Sequence, residues 1–170
     1  MEYAVLGWPP DGPTLRLDYR QFSYAGKFVM SNTGKAVARE GEEIVGAIAF
    51  NEDRTDETAL WLRYVTVKGD RRGEGIGASL VSFVTETAHE RGYDTVKIAV
   101  NNPFAYEAVW KAGFGYTGEQ TGIAELVCAH PGNRSQTRYQ AGLDEYRSRE
   151  GLSDEEQAFL SRKATAQPPK

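Results

Sequence analysis

The 170-residue sequence has one cysteine, two histidines and no long apolar run. Cys128 cannot form a disulfide within the chain, and there is no second thiol to share a metal ion. His89 and His130 lie too far apart for the usual ligand spacing, so we expect no metal. No segment reaches the ~18 apolar residues of a membrane span, and the N-terminus has no secretory pattern. The sequence therefore predicts a cytoplasmic protein with no membrane partner.

The chain also lacks an excess of basic residues over acidic ones. The chain has 20 Lys and Arg against 24 Asp and Glu, a net charge of −4, and a pI of about 5.3. This balance argues against nucleic acid as a partner, because polyanion binding needs a broad basic surface. Basic residues do cluster at 68–72 (KGDRR). A local cluster on an acidic protein suits a small anionic ligand.

Hydrophobic periodicity predicts an α+β chain, with the order β–β–β–loop–α–β–α–β–β from residue 36 onward. A further strand is predicted near the N-terminus, and the loose spacing of Leu15, Tyr19 and Phe22 predicts a helix within 15–30. The predicted strands cover 3–6, 36–39, 44–50, 60–67, 95–100, 114–117 and 123–128, and the main helices cover 75–91 and 103–112.

The composition changes after residue 130, which predicts a domain over 1–130 and a charged extension over 131–170. Ser153 and Glu156 have the spacing of a capping box, so a helix is expected over 154–163. The extension has sparse apolar residues that would dock on the domain or on a second subunit, which leaves a homodimer open. These residues are Tyr139, Leu143, Tyr146, Leu152, Phe159 and Leu160.

The segment 64–78 (YVTVKGDRRGEGIGA) places a predicted strand, a basic loop and the glycines 73, 75 and 77 around the start of a predicted helix. The start of a helix leaves backbone N–H groups unpaired and carries partial positive charge. Glycines let a ligand approach the backbone closely, and Arg71 and Arg72 add cations. The pattern therefore predicts a phosphate-binding turn.

Three kinds of phosphate turn compete for this segment. A Walker-type loop is excluded because the sequence lacks G-x-x-x-x-G-K-[ST]. Gly73, Gly75 and Ala78 match the dinucleotide pattern G-x-G-x-x-A, but five residues separate Val67 from the first glycine. The next strand also ends in asparagines at 101–102 where an acidic residue is expected. A nucleotide-dependent oxidoreductase remains an alternative that preferential NAD binding would support.

A family resemblance supports the third kind of phosphate-binding turn. Residues 72–77 (RGEGIG) resemble the R/Q-x-x-G-x-G/A signature of the GNAT superfamily of N-acyltransferases. Residues 102–105 (NPFA) and 111–114 (KAGF) are similar to two later elements of that family, in the expected order. The resemblance covers about 36–128. It implies a mixed, mostly antiparallel central sheet with helices on both faces and a central βαβ unit.

The resemblance also implies a cofactor and a reaction. Acetyl-CoA would place its pyrophosphate on the backbone at 73–78 and its pantetheine arm along 65–67, with Asn102 at the mouth of the splayed strands. An amine would attack the thioester directly. The residues assigned to acetyl-CoA are Val65, Thr66, Val67, Arg71, Arg72, Gly73, Glu74, Gly75, Ile76, Gly77, Ala78 and Asn102.

The sequence departs from the family pattern at the catalytic positions. The tyrosine that often reprotonates the thiolate would fall at Val109, whereas Tyr106 lies three residues earlier and is either the acid or a packing aromatic. The strand at 60–67 has no glutamate to act as base. Tyr64 is the remaining candidate to orient a water or shape the acceptor pocket, and alternation places Arg63 on the opposite face.

These observations predict an N-acetyltransferase that uses acetyl-CoA and a primary amine of a small molecule or peptide. The alternative is a CoA-binding regulatory module with weak catalysis. No motif identifies the acceptor, the general base or the acyl chain length.

Overall fold

The computed structural model describes residues 1–9 and 12–170. Its chain divides into two compact units, Met1–Val96 and Lys97–Lys170. The predicted fold class is confirmed, since the described residues form seven strands, mostly antiparallel, and four α-helices. The predicted domain boundary at residue 130 stays a prediction.

The first unit is built on four strands that pair antiparallel in chain order. The predicted hairpin at 36–50 is confirmed, and its turn contains Gly41 at a φ of 61°, a conformation that favours glycine. The predicted N-terminal strand is also confirmed. The bounds are β1 Glu2–Gly7, β2 Gly34–Glu40, β3 Glu43–Glu52 and β4 Ala59–Val67.

Helix α1, Ile76–Glu90, packs against this sheet. Its buried positions include Ile76, Leu80, Val84 and Ala88, which recur at the helical spacing. A Cβ on Gly46 would lie 2.9 Å from Ile76 and 3.0 Å from Leu80, so this glycine of β3 allows the close approach of the helix. Full burial of one such leucine stabilises the fold by about 1.5–3 kcal/mol.

The helix predicted within 15–30 is wrong. Residues 12–18 have no regular secondary structure, and only Ala25–Val29 forms a short 3-10 helix. Leu15 and Leu17 both pack on a cluster that includes the buried Phe28, so these apolar residues cover the core without forming a helix. Tyr19, a supposed apolar position of the helix, is 81% exposed.

Strand β4 contains a β-bulge at Arg63. Ala49 of β3 pairs with Tyr64, and the next residue, Phe50, pairs with Leu62. Arg63 is therefore an extra residue with no partner on β3. A bulge interrupts the alternation of side chains, so the expectation that Arg63 and Tyr64 face opposite sides does not hold at this point.

Strand β5, Thr95–Val100, begins in the last two residues of the first unit and continues into the second. The second unit also contains the strands β6 Gly115–Gln120 and β7 Leu126–His130 and the helices α2 Pro103–Lys111, α3 Gln136–Arg147 and α4 Asp154–Arg162. The capping box at Ser153 and Glu156 is confirmed. The last strand begins later than predicted because Ala124 has a φ of 63°, which ends extended structure there.

Helix α3 was not predicted. Three of its apolar residues were, however, among those expected to dock on the domain or on a second subunit. Tyr139, Leu143 and Tyr146 are fully buried, at the i, i+4, i+7 spacing of one helix face. Ser135 caps the helix by accepting the N–H of Arg138. The extension therefore docks on its own unit, where α3 packs against β6.

Across residues 1–9 and 12–170, no helix combines the length and apolar character needed to cross a bilayer.

Candidate functional site

The predicted phosphate-binding turn forms the connection between β4 and α1. Gly73 and Gly75 have φ values of 86° and 82°, and Gly75 is the N-cap residue of α1. An L side chain rarely adopts this conformation, which explains the two glycines. No side chain caps the helix start, so its first N–H groups remain available to an anion.

The space around the turn also fits a ligand. A Cβ built on Gly73 or Gly75 would meet no atom within 4 Å. A Cβ on Gly77 would instead lie 3.5 Å from Val67 and 3.7 Å from Val65. The start of α1 therefore packs on the end of β4, and the strand at 65–67 lies beside the anion-binding turn. This arrangement brings together the first-unit residues assigned to acetyl-CoA.

The two arginines of the turn have different environments. Arg71 bonds both carboxylate oxygens of Glu40 at 2.6 Å and also forms a salt bridge with Glu74 at 2.9 Å. Its hydrogen bonds to these carboxylates lower the pKa of Glu40 and of Glu74 and raise the pKa of Arg71. The charge of Arg71 is thus offset by two carboxylates, and the residue anchors the turn.

Arg72 is the cation of the turn that stays accessible. Its side chain is exposed, and its Nη2 donates to Ser23 Oγ at 3.0 Å. No carboxylate forms a salt bridge with Arg72 in the described part of the chain. Of the two predicted phosphate cations, Arg72 is the one whose charge is not already neutralised.

In the second unit, Asn102 begins α2. Its Oδ1 accepts the N–H of Ala105 at 2.8 Å, and Pro103 follows at the first helical position. This asparagine therefore has a structural role as a cap. The resemblance also gives it a role in cofactor binding, which stays a prediction.

Tyr106 is fully buried, also in the second unit. Its hydroxyl donates to the backbone carbonyl of Tyr139 at 2.9 Å, and its ring packs against Trp110 and Tyr146. Burial raises the pKa of its hydroxyl far above the usual range. This environment favours the packing alternative over a role as the acid, because an acid must reach the leaving group.

Tyr64, in contrast, is half-buried and lines a cavity of about 450 Å³ in the first unit. Its ring lies 5.9 Å from that of Tyr24 and 5.6 Å from the ammonium of Lys27. Lys27 belongs to the 3-10 helix that replaces the predicted longer one. The aromatic pair thus holds this segment beside β4.

The same cavity is lined by residues that the sequence did not single out. Arg63 reaches it because the bulge turns its side chain to the side of Tyr64. Asn51 of β3 and Arg54 of the loop that follows β3 extend its wall. Strict alternation of side chains along β4 would place Arg63 and Tyr64 on opposite faces of the sheet, so it does not predict that they line one cavity. A bulge depends on the register of the neighbouring strand, which local sequence does not encode.

No set of three metal-ligating side chains occurs in residues 1–9 and 12–170.

The GNAT acetyltransferase family model matches residues 2–116. That span is more than half of the chain and contains β4, the glycine turn and α1. The chain belongs to the GNAT family of acetyltransferases. The match reaches further toward the N-terminus than the motifs indicated, and it ends before α3 and α4. No protein with curated functional information matches the sequence.

Solved structures of other GNAT proteins share the fold at low sequence identity. An acetyltransferase from Bacillus subtilis, solved in complex with CoA, is 16% identical, with a TM-score of 0.57 over 75% of this chain and 95% of its own. A ribosomal-protein-alanine N-acetyltransferase from Brucella melitensis is 22% identical, with a TM-score of 0.51 over 57% of this chain and 67% of its own. The GCN5 protein of Tetrahymena is 13% identical, with a TM-score of 0.51 over 62% of this chain and 72% of its own.

Proposed function

We propose that this GNAT acetyltransferase transfers an acetyl group from acetyl-CoA to a primary amine of a small molecule or peptide. One observation carries the proposal. The turn with two glycines at positive φ opens α1 without a side-chain cap and packs directly on the end of β4. Such a turn can bind the pyrophosphate of CoA, and the strand beside it can hold the pantetheine arm.

The described residues fit such a substrate. The N–H groups at the start of α1 and the positive end of its dipole would bind the pyrophosphate, with Arg72 as the nearby cation. Arg71 would act indirectly, because Glu40 and Glu74 hold it as the anchor of the turn. The structure of the Bacillus subtilis relative, solved with CoA, supports the choice of cofactor.

The chemistry requires a neutral amine and a polarised thioester. The nitrogen lone pair forms a bond to the carbonyl carbon, the C–S bond breaks, and CoA leaves as a thiolate that takes up a proton. The nitrogen loses a proton to solvent or to a base. Backbone N–H groups near Val67 would stabilise the developing negative charge on oxygen, an effect that is often the largest in acyl transfer.

Tyr64 is the proposed proton donor or water-orienting group. It lies on β4 immediately before residues 65–67, and its side chain lines the cavity described above. Tyr106 is not proposed for this role because its hydroxyl is fully buried and bonded to a carbonyl.

Calorimetric titration with acetyl-CoA, with NAD as the control, tests the proposal. We expect saturable binding of acetyl-CoA and no heat from NAD. A screen of primary amines should then release free thiol. Binding without turnover across the screen would instead support the CoA-binding regulatory module, and the absence of CoA binding would contradict both functions.

A further inference from the structure

The cavity beside Tyr64 has basic side chains on its walls. Lys27, Arg54 and Arg63 line it, and no Asp or Glu among the described residues does. We call it the basic cavity. Such a wall attracts an anion and repels a cation, and a concave site of about 450 Å³ has room for a small molecule.

Arg63 presents unused donors to this cavity. Its Nε donates to Asn51 Oδ1 at 2.7 Å, and its guanidinium lies 4.9 Å from the ring of Trp61. These contacts hold the guanidinium in place. Its two Nη groups make no hydrogen bond to any residue in 1–9 or 12–170. A planar pair of N–H donors matches a carboxylate or a phosphate.

The charges around Arg63 are unevenly matched. Desolvation lowers the pKa of Arg63, the nearby Asp53 raises it, and the neighbouring Arg54 lowers it. The carboxylate of Asp53 also accepts hydrogen bonds from Trp61 and Thr55. The charge of Arg54 therefore opposes that of Arg63 in the wall of the cavity, and an added anion would offset this repulsion.

A buried lysine adds to the positive charge. Lys35 is fully buried, and its ammonium donates to the carbonyls of Met30 at 2.5 Å and Thr33 at 2.9 Å. Both Met30 and Thr33 line the basic cavity. No carboxylate of the described residues forms an ion pair with Lys35, so burial lowers its pKa.

We infer that the basic cavity binds the amine acceptor, and that this acceptor carries a carboxylate or phosphate group held by Arg54 and Arg63. The inference rests on the proposed function and adds the chemical class of its second substrate. Tyr64 connects the two sites, because it lines the cavity and precedes the strand segment at 65–67.

The cationic side chains of the basic cavity also affect the protonation of the bound amine. Nearby cations disfavour an ammonium ion and therefore lower the pKa of a bound amine. The neutral form that attacks the thioester is then more populated at neutral pH. This effect reduces the need for a carboxylate base, which β4 lacks.

NMR of the arginine side chains tests anion binding without any turnover. The Nε–H signals of Arg54 and Arg63 are assigned by their loss in Arg54→Gln and Arg63→Gln. We expect saturable shifts of both signals with acetate or inorganic phosphate and none with chloride at equal ionic strength. Shifts with acetate alone or phosphate alone would identify the group. If neither anion shifts them beyond the chloride control, the inference fails.

Kinetics with matched acceptors provide the second test. An amino acid is compared with its carboxamide, and phosphoethanolamine with ethanolamine. We expect kcat/KM to be about tenfold or more higher for the anionic member of at least one pair. Arg63→Gln should remove that preference, whereas Arg162→Gln, an exposed arginine on α4, should keep it.

The two proposals fail differently. If wild type and Arg63→Gln bind CoA equally and the protein acetylates neutral and anionic acceptors at equal rates, the acceptor inference is wrong and the proposed function stands. If the wild type binds no CoA, the proposed function is wrong. The NMR titration then still decides whether the cavity binds anions.

Discussion

Arg71 and Glu40 form a two-point ion pair, with each guanidinium Nη atom 2.6 Å from one carboxylate oxygen. The pair ties the end of β2 to the turn before α1, and Glu74 adds a second carboxylate to the same guanidinium. Arg72, one residue later, is exposed and makes no salt bridge with any described residue. Adjacent arginines of one motif thus have different roles.

Charge removal should separate these roles. We expect Arg72→Gln to weaken CoA binding by about tenfold, because a phosphate contact from a free cation is lost. Arg71→Gln should lower the melting temperature and weaken CoA binding less, since the charge of Arg71 is already offset. Calorimetry and thermal unfolding of both variants measure the two effects. A larger affinity loss for Arg71→Gln would contradict the assignment.

The positive φ of Gly75 gives a second prediction about acetyl-CoA binding. Alanine at a φ of 82° costs about 1 kcal/mol or more, and its methyl group would enter the open space assigned to the pyrophosphate. We expect Gly75→Ala to weaken acetyl-CoA binding by about tenfold or more in calorimetry.

Gly92 provides a matched control at the other end of α1. It has a φ of 98° and open space around its Cβ position. Gly92→Ala should therefore carry a similar conformational cost without changing CoA affinity. Equal affinity loss in the two variants would show that strain, and not the phosphate site, is responsible.

Loss of the hydroxyl group should have different effects at Tyr64 and at Tyr106. Tyr64→Phe should lower kcat by roughly tenfold or more with little change in CoA affinity, since the loss of a proton donor or water-orienting group affects the reaction itself. Tyr106→Phe should keep kcat and lower the free energy of unfolding by about 1 kcal/mol, because it loses the hydrogen bond to Tyr139. Steady-state kinetics and urea unfolding distinguish the cases. A large loss of kcat in Tyr106→Phe alone would restore the acid role.

Local sequence was sufficient for the parts of the site that are local in structure. The strand at β4, the glycines of the turn and the start of α1 lie within about twenty residues, and each has a conformational requirement that its own residues reveal. The capping box at Ser153 is of the same kind. Gly73 and Gly75 could therefore be identified from the sequence itself.

Other features depend on distant partners and were missed. The bulge at Arg63 arises from the pairing of β4 with Ala49 and Phe50 of β3, and it alone brings Arg63 and Tyr64 to one cavity. The segment around Leu15 has no regular structure, and its apolar side chains, which pack on residues of β2 and β3, were mistaken for one face of a helix. Helix α3 was not predicted because its few apolar residues lie in a highly charged sequence.

The contact between α3 and α2 gives a stability prediction. A Cβ on Gly142 would lie 2.2 Å from the hydroxyl oxygen of Tyr106, so Gly142→Ala should force the two helices apart. We expect a loss of about 1–3 kcal/mol in the free energy of unfolding, as in other overpacked cores. Gly122→Ala is the control, because its Cβ would meet no atom within 4 Å. Equal stability of the two variants in urea unfolding would contradict the packing of α3.

The single thiol supplies a pH-dependent prediction. Burial raises the pKa of Cys128 to about 12, above its ordinary value of 9.0. The folded state then favours the neutral thiol, so its contribution to stability is present below pH 9 and is lost as the pH rises toward 12. At pH 8 we expect the native protein to react with a thiol reagent far more slowly than the urea-unfolded chain, since the thiolate is the nucleophile. Rapid labelling of the native protein, followed by absorbance, would show that β7 opens readily or that the thiol lies at the surface.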